Sequence, residues 1–289
     1  MAVKFFGQFL VENRLVTSEA LLQAIALQER SNLKFGEMAQ ALGFLSEADI
    51  ERVHEAQRGE DLRFGDLVLK LGLMSEEQIQ QVLTRQKNSH IYIGEALIRV
   101  GAIARPALER SLAAFKEDQA PYAVDRISIP ATAPLPYFWE MAADLTGKML
   151  TRVAGLAHRP GSCAEVGQLV VHEVIAAIYF SGAVRARYLL GVSLPIRAAI
   201  ARALLKEEDV SGEPEEVLDD TLMEFVNIIC GNIVAKAAQM GRAVEISPPQ
   251  ILRTGGRILP VPPGQIGLSL PILTADGELL EMGAFIEVN

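Results

Sequence analysis

One segment in the C-terminal half carries side chains whose types and spacing could do chemistry. Glu224, Asn227 and Gly231 follow Asp220 and stand at positions i, i+3 and i+7. On an α-helix this spacing places all three on one face. The face would present a carboxylate, then an amide, then a gap without a side chain, which lets a partner's backbone come close. The alternative is an ordinary helix face whose Glu and Asn are only solvated.

A long helix with a buried opposite side must position these residues. The sequence predicts it over Glu213–Met240, with Pro214 at its start and Gly241 just past its end. Its apolar face consists of Leu222, Val226, Ile229 and Ile233.

A second set of candidate residues recurs along residues 1–115 with a period of 29. Glycine recurs at 7, 36, 65 and 94, and glutamine closes the first three units at 28, 57 and 86, with Phe115 in the fourth. Such a period indicates copies of one supersecondary unit. The unit 63–86 predicts a helical hairpin, in which Gly72 ends the first helix and Ser75 caps the second. Because one hairpin cannot bury its apolar face alone, we expect the units to stack, with the degraded first and fourth units as caps.

Composition and charge restrict the class of protein. The 289 residues are 50% hydrophobic, enough for two domains with their own cores, and the formal charge of −9 disfavours a duplex nucleic-acid binder. Cys163 and Cys230 are predicted to be buried free thiols, and the four scattered histidines predict no metal site. Because no run reaches about 18 apolar residues, we predict a cytoplasmic protein without membrane insertion.

The remaining patterns predict an α+β chain, in which an all-α repeat domain precedes a domain of helices and antiparallel strands. The predicted domains are 1–116 and 135–289, joined by a proline-containing linker at 117–134. The predicted elements of the second domain are a helix at Tyr137–Leu150, a strand pair at Leu169–Phe180 and Val184–Val192, a helix from Ser193 to Leu205, and a hairpin of Ile266–Leu273 and Leu279–Val288 around Asp276-Gly277.

The segment from Asp220 to Gly231 resembles the signature of the CheC/CheX/FliY family of chemotaxis phosphatases. That signature has Asp or Ser, three residues, Glu, two residues, Asn, and a proline some two dozen residues later. Pro248 and Pro249 lie one or two residues short of that distance. The resemblance extends over about 131–289 and implies a CheX-like α/β sandwich with antiparallel strands and a long signature helix.

Members of that family with two sites repeat Glu-x-x-Asn in the first helix. Here Glu140 is followed by Ala143, so the resemblance implies one site per chain. A single site is similar to the CheX branch, whose members are commonly homodimers.

The activity of this family is hydrolysis of the aspartyl phosphate on a response-regulator receiver domain. The resemblance implies that Asn227 positions the attacking water and that Glu224 pairs with the receiver's lysine, with Asp220 and Gly231 at the docking surface. No cofactor is implied in the chain itself, because the receiver supplies Mg²⁺. The alternative is a CheX-like fold that docks a receiver or another partner without catalysis.

The unit Arg63–Gln86 resembles the MshEN-type repeat in the N-terminal domain of type II secretion and type IV pilus assembly ATPases. Some members of that family bind cyclic di-GMP, since a leading arginine can present two N–H groups to guanine. The implied nucleotide site consists of Lys34, Gly36, Gly43, Gln57, Arg63, Gly65, Gly72 and Gln86. Because only Arg63 keeps the leading arginine, packing motifs in a helical adaptor are the alternative.

Taken together, the sequence predicts a two-component or chemotaxis signalling protein. In it, a sensor or adaptor of four repeats precedes a domain that dephosphorylates a receiver. The rival hypothesis is a non-catalytic adaptor that binds cyclic di-GMP, a receiver or both, in motility, pilus or biofilm control.

Overall fold

Two units divide the chain, one helical and one built on an antiparallel sheet. The computed structural model describes residues 4–120, 127–255 and 257–288, and its units comprise residues 1–123 and 124–289. An all-helical region therefore precedes an antiparallel α/β unit, as the sequence predicted.

The N-terminal unit is built from four pairs of a short and a long helix. The short helices are α1 (Phe6–Glu12), α3 (Phe35–Ala41), α5 (Phe64–Lys70) and α7 (Ile93–Arg99). The long helices are α2 (Ser18–Ser31), α4 (Glu47–Gly59), α6 (Glu76–Ser89) and α8 (Arg105–Gln119).

The predicted caps form at the junctions between short and long helices. The hydroxyls of Thr17, Ser46 and Ser75 each accept a hydrogen bond from the backbone N–H three residues on. Gly43 and Gly72 follow their short helices with φ of 73° and 66°, a left-handed conformation that glycine adopts without steric cost.

The four hairpins pack as two pairs and not as a linear stack. Helix α2 packs on α7 and α1 on α8, whereas α3 packs on α6 and α4 on α5. One core joins units one and four around Leu10, Ala24 and Leu97, and a separate core joins units two and three around Val53 and Leu67. The prediction that units one and four cap a stack is therefore wrong, because each buries its apolar face against the other.

The repeated glutamines tie the units together within each pair. The side-chain amide of Gln28 donates to the Ile91 carbonyl at 3.0 Å, and that of Gln86 donates to the Leu33 carbonyl at 2.8 Å. Gln57 donates to the carbonyl of Leu62 at 3.3 Å. Each of these carbonyls lies just before a short helix, so the glutamines help to set where these helices begin.

The C-terminal unit is built on an eight-stranded antiparallel sheet, with strand order β1-β9-β10-β5-β4-β6, β2 beside β9 and β7 beside β4. The strands are β1 (His158–Pro160), β2 (Ala164–Val166), β4 (Val174–Gly182), β5 (Ala186–Val192), β6 (Val244–Ile246), β7 (Gln250–Leu252), β9 (Gln265–Thr274) and β10 (Leu279–Glu287). Two further short strands, β3 (Gln168–Leu169) and β8 (Leu259–Pro260), pair separately. The predicted hairpin turn is confirmed at Gly277, whose φ is 87°.

Three helices accompany the sheet in the described part of this unit: α9 (Pro136–Arg152), α10 (Leu194–Leu205) and α11 (Glu215–Gln239). Strand residues such as Ala176, Ile178 and Phe180 form the main core with Trp139 and Phe225, which belong to α9 and α11. The second half of the predicted linker contributes Ile129 and Ala133 to the same core, and its residues 121–126 lie outside the described residues.

The opposite face of the sheet is covered by the chain between β2 and β4, over glycines in the strands. A Cβ on Gly191 would lie 2.3 Å from the ring of His172, and one on Gly283 would lie 2.6 Å from Leu169. His172 and Glu281 are joined there by a buried 3.0 Å contact. This covering segment explains why the strand predicted from Leu169 begins only at Val174.

Candidate functional site

Helix α11 is held rigidly because its inner face forms the centre of the core. Leu222, Val226, Ile229 and Ile233 have no exposed surface, which confirms the predicted apolar face. By composition α11 could cross a membrane, but 56% of its most apolar window is buried inside the unit, as expected of a core helix.

The outer face of α11 presents the residues singled out by their spacing. Asp220, Glu224, Asn227 and Gly231 are all exposed. Glu224 and Asn227 make no hydrogen bond or ion pair within the described residues. A Cβ on Gly231 would have no atom within 4 Å, so the surface beside Asn227 is open. The arrangement offers a carboxylate and a neutral amide, both available to a partner that can approach closely.

A buried arginine fixes the start of α11 against α10. Arg197 is only 3% exposed, and its guanidinium contacts Glu215 at 2.7 Å and Asp219 at 2.8 Å. The hydrogen bond from Arg197 lowers the pKa of Glu215. Arg253 reaches the same two carboxylates from the sheet side. This network joins the start of α11 to α10, and the arginine on the apolar stripe of α10 was its signal in the sequence.

Pro248 and Pro249 lie between β6 and β7, two edge strands that both contact α11. The preceding residue, Ser247, accepts a hydrogen bond from the Tyr179 backbone through its hydroxyl at 3.0 Å. The Ser-Pro-Pro segment is therefore anchored to the sheet edge beside α11.

Helix α9, the first helix of the C-terminal unit, has no exposed amide at the position that corresponds to Asn227. Ala143 on α9 is 2% exposed and belongs to the main core, and Glu140 is half-buried. Among the described residues of this unit, the exposed carboxylate and amide at the signature spacing are those of α11.

The eight residues of the predicted nucleotide site lie in the pair formed by units two and three. Gln57 and Gln86 are taken up in the hydrogen bonds to Leu62 and Leu33, beside Arg63 and Lys34 respectively. Gly36 and Gly65 each face a phenylalanine of the other unit, with distances from a built Cβ of 3.1 Å to Phe64 and 3.7 Å to Phe35. Gly43 and Gly72 are exposed at the opposite ends of α3 and α5, about 10 Å away along each helix.

A histidine lies beside an aromatic ring of this pair, close to two positive charges. His54 meets Phe64 edge-on, with 5.4 Å between ring centroids. Partial burial, and then the positive charges of Lys34 and Arg58, lower the pKa of His54, although a hydrogen bond with Gln57 opposes them. The sequence analysis missed His54, whose position in the repeat is apolar in the other three units.

The structure offers no sign of metal or thiol chemistry among the residues it describes. Within residues 4–120, 127–255 and 257–288, no three His, Cys, Asp or Glu side chains come together to hold a metal ion. Burial raises the pKa of the Cys163 thiol to about 11, and also raises that of Cys230. Both cysteines are free, and Cys230 is fully buried. These thiols therefore stay protonated at neutral pH and are poor nucleophiles.

Known proteins resemble the C-terminal unit. Residues 174–273 match the model of the family described as chemotaxis phosphatase CheX. No curated protein matches the chain.

Several solved structures are similar to about half of the chain. A chemotaxis protein CheX from Desulfovibrio desulfuricans shares 17% identity over 52% of this chain and 99% of its own, with a TM-score of 0.46. CheX from Vibrio vulnificus shares 18% over 52% and 99%, with a TM-score of 0.47. CheX from Borrelia burgdorferi, crystallised in a CheX-CheY-BeF3-Mg²⁺ complex, shares 21% over 52% and 98%, with a TM-score of 0.43.

The identities and TM-scores of these solved structures are low, so the assignment of the C-terminal unit rests on the match to the family model. The N-terminal helical repeats have no family assignment, so their MshEN resemblance stays a prediction. The segment 174–273 marks the C-terminal unit as a CheX/CheC-like domain.

Proposed function

We propose that the C-terminal unit dephosphorylates the aspartyl phosphate of a response-regulator receiver domain. One observation carries the proposal: Glu224 and Asn227 stand exposed beside the open surface at Gly231, with no partner among the residues that the structure describes. They do so on the core helix of a domain that matches a family of chemotaxis phosphatases.

The proposed mechanism is catalysis by positioning. Asn227 accepts a hydrogen bond from a water molecule and holds it in line with the phosphorus and the aspartyl oxygen that leaves. Attack by this water releases inorganic phosphate and regenerates the receiver's carboxylate. Glu224 pairs with a cationic side chain of the receiver, and Asp220 and Gly231 complete the docking surface. The receiver supplies the Mg²⁺ that neutralises charge on the phosphoryl group, so this chain needs no cofactor of its own.

Kinetics with a phosphorylated CheY-type receiver and Mg²⁺ test these roles. We expect Asn227→Ala to lower kcat by roughly 100-fold with little change in KM. Glu224→Ala should instead raise KM, because it removes a docking contact. Asn88→Ala and Glu109→Ala change exposed residues of the N-terminal unit and serve as matched controls. Unchanged decay of the phospho-receiver with Asn227→Ala would refute the proposed activity.

The second candidate function is binding of cyclic di-GMP by units two and three of the repeats. The observation that favours it is the ring pair of His54 and Phe64 close to the positive charges of Lys34 and Arg58, which suits an anion with a planar base. Calorimetric titration of cyclic di-GMP should give heat with the wild type and a weaker signal with Arg63→Ala. No heat from the wild type at high ligand concentration rules the function out.

The oligomeric state and the linker remain further proposals from the sequence. We propose a homodimer through the CheX-like domain, which sedimentation equilibrium of the full chain would show as twice the 31.4 kDa chain mass. We also propose that the junction of the two units lies within 117–134, which limited proteolysis of the full chain tests through the masses of the fragments.

A further inference from the structure

The first half of α11 carries two rows of carboxylates with different surroundings. The first row, Glu215 and Asp219, lies against two arginines. Arg197, from α10, contacts these carboxylates at 2.7 Å and 2.8 Å respectively. Arg253, which follows β7, pairs with Asp219 and lies 3.6 Å from Glu215. Both carboxylates are therefore shared between two guanidinium groups, and the charge of this row is neutralised within the fold.

The second row, which we call the acidic row, consists of Glu216, Asp220 and Glu224. All three are exposed, and they make no hydrogen bond or ion pair with any residue that the structure describes. Because they stand four positions apart, neighbouring members lie about 6 Å apart along the helix, and the row is about 12 Å long. Asn227 follows Glu224 on the same face, so the acidic row leads directly to the proposed site of catalysis.

The stability of the helix alone does not account for the acidic row. A carboxylate in the first turn, such as Glu216, interacts favourably with the helix dipole, but this effect falls off within that turn. Asp220 and Glu224 stand one and two turns further on. Like charges four positions apart repel each other on a helix, so the acidic row destabilises the isolated protein. Cationic side chains of a partner would relieve this repulsion, as the arginines do for the first row.

We propose that the acidic row steers and orients the receiver, and that the partner it fits is a receiver with a row of cationic side chains beside its phosphorylated aspartate. The inference rests on the proposed function, which already assigns one cationic contact to Glu224. It adds Glu216 as a docking residue and extends the complementary charges over about 12 Å. Charge complementarity at the rim of an interface mainly raises the association rate and makes that rate dependent on salt. The acidic row therefore selects among receivers by the charge that they present.

Stopped-flow association of the full chain with a CheY-type receiver, activated by beryllofluoride and Mg²⁺, tests the acidic row at NaCl concentrations from about 50 mM to about 300 mM. We expect the association rate of the wild type to fall as the salt concentration rises. Glu216→Gln should associate about threefold more slowly at low salt and show a weaker salt dependence, and Glu216→Lys should associate about tenfold more slowly. The dissociation rate should change little, since Glu216 lies at the rim of the interface.

Glu109→Gln and Glu109→Lys make the same changes of net charge at an exposed residue of the N-terminal unit, and they should leave the association rate and its salt dependence unchanged. The proposal fails if the wild type does not associate, or if Glu216→Lys associates as fast as the wild type at low salt. It also fails if the Glu109 variants slow association equally, because only net charge would then act. Altered thermal unfolding of Glu216→Gln with unchanged association would assign Glu216 to the helix N-terminus alone. Dephosphorylation by Asn227→Ala is a separate measurement, so the acidic row can fail while the catalytic role stands, and the reverse.

Discussion

At the scale of single residues, a substitution of Gly231 should change stability and function in opposite directions. Glycine inside a helix costs about 1 kcal/mol relative to alanine, and a Cβ at this position would meet nothing within 4 Å. We therefore expect Gly231→Ala to raise the free energy of unfolding by up to about 1 kcal/mol. The same methyl group would stand in the proposed docking surface, so receiver dephosphorylation should become slower. Urea unfolding and phospho-receiver decay measure the two effects, and a variant that is both more stable and fully active would contradict the docking surface.

His54 provides a residue-scale test of the cations in units two and three. Its pKa is lowered by partial burial and then by Lys34, so the unfolded chain holds the proton more tightly than the folded one. This residue's contribution to stability is therefore present above the unfolded value of about 6.5 and is lost as the pH falls from there through the lower folded pKa. We expect Lys34→Gln to bring the pKa of His54 back toward its ordinary value, as followed by the imidazole resonances. Lys116→Gln, the same change at an exposed lysine of α8, is the control. An unchanged His54 pKa in Lys34→Gln would show that the lysine charge does not act on the ring.

At the scale of elements, local patterns predicted the helices and the hairpin, because their signals lie within a few residues. The apolar stripe of α11 and the Asp276-Gly277 turn are examples, and both are confirmed. The covering of the second sheet face could not be predicted in the same way. The fit of His172 over Gly191 joins positions 19 residues apart, and a glycine in a strand does not tell which side chain it receives.

The candidate site and its outward orientation were predicted from spacing and from the opposite apolar face, but the contacts that fix the start of α11 were not. Glu224 and Asn227 were selected because they stand three positions apart, which places them on one face of a helix. The burial of Arg197 against Glu215 and Asp219 joins α10 to the start of α11, and contacts between separate elements could not be predicted in this way. The glutamines of the repeats were predicted as ligand groups for a nucleotide. In the structure, Gln57 and Gln86 also donate hydrogen bonds to backbone carbonyls just before the short helices.

The end of α8 shows how an element departs from its repeat and remains well packed. Phe115 stands where the other units have glutamine, and its ring lies 5.3 Å from that of Phe6 and 5.4 Å from that of Phe9. One turn later, Gln119 accepts the hydrogen bond from the Lys4 backbone at 2.8 Å. A glutamine therefore still binds the segment before the short helix, but it accepts where the repeated glutamines donate, and the aromatic cluster takes the repeat position.

Replacement of Phe115 by the glutamine of the other repeats should therefore lower the stability of the N-terminal unit. We expect Phe115→Gln to destabilise the pairing of α1 with α8 by about 2 kcal/mol, since a half-buried ring loses its contacts. Hydrogen exchange should become faster in α1 and α8, and exposed Leu112→Gln on α8 serves as the control. Slower exchange in Phe115→Gln would mean that the consensus glutamine is the better residue here.

At the scale of the whole molecule, stability is divided among separate cores. The C-terminal unit has a main core between its sheet and helices, while the repeats divide into an outer pair and an inner pair. Ala24 lies in the outer core with no exposed surface, and Val53 is its counterpart in the inner core. Destabilisation of one unit should therefore reach the unit that shares its core before it reaches the next unit along the chain.

Substitution of a buried alanine by aspartate tests this division. Ala24→Asp places a charge in the core shared by units one and four, at a cost of several kcal/mol. We expect hydrogen exchange of the full chain to become fast in α1, α2, α7 and α8, while α4 and α6 stay protected. Val53→Asp should give the reverse pattern, and each variant serves as the control for the other. In a linear stack, Ala24→Asp would instead expose units one and two and spare unit four, so protected α7 with exchanging α3 would contradict the paired architecture.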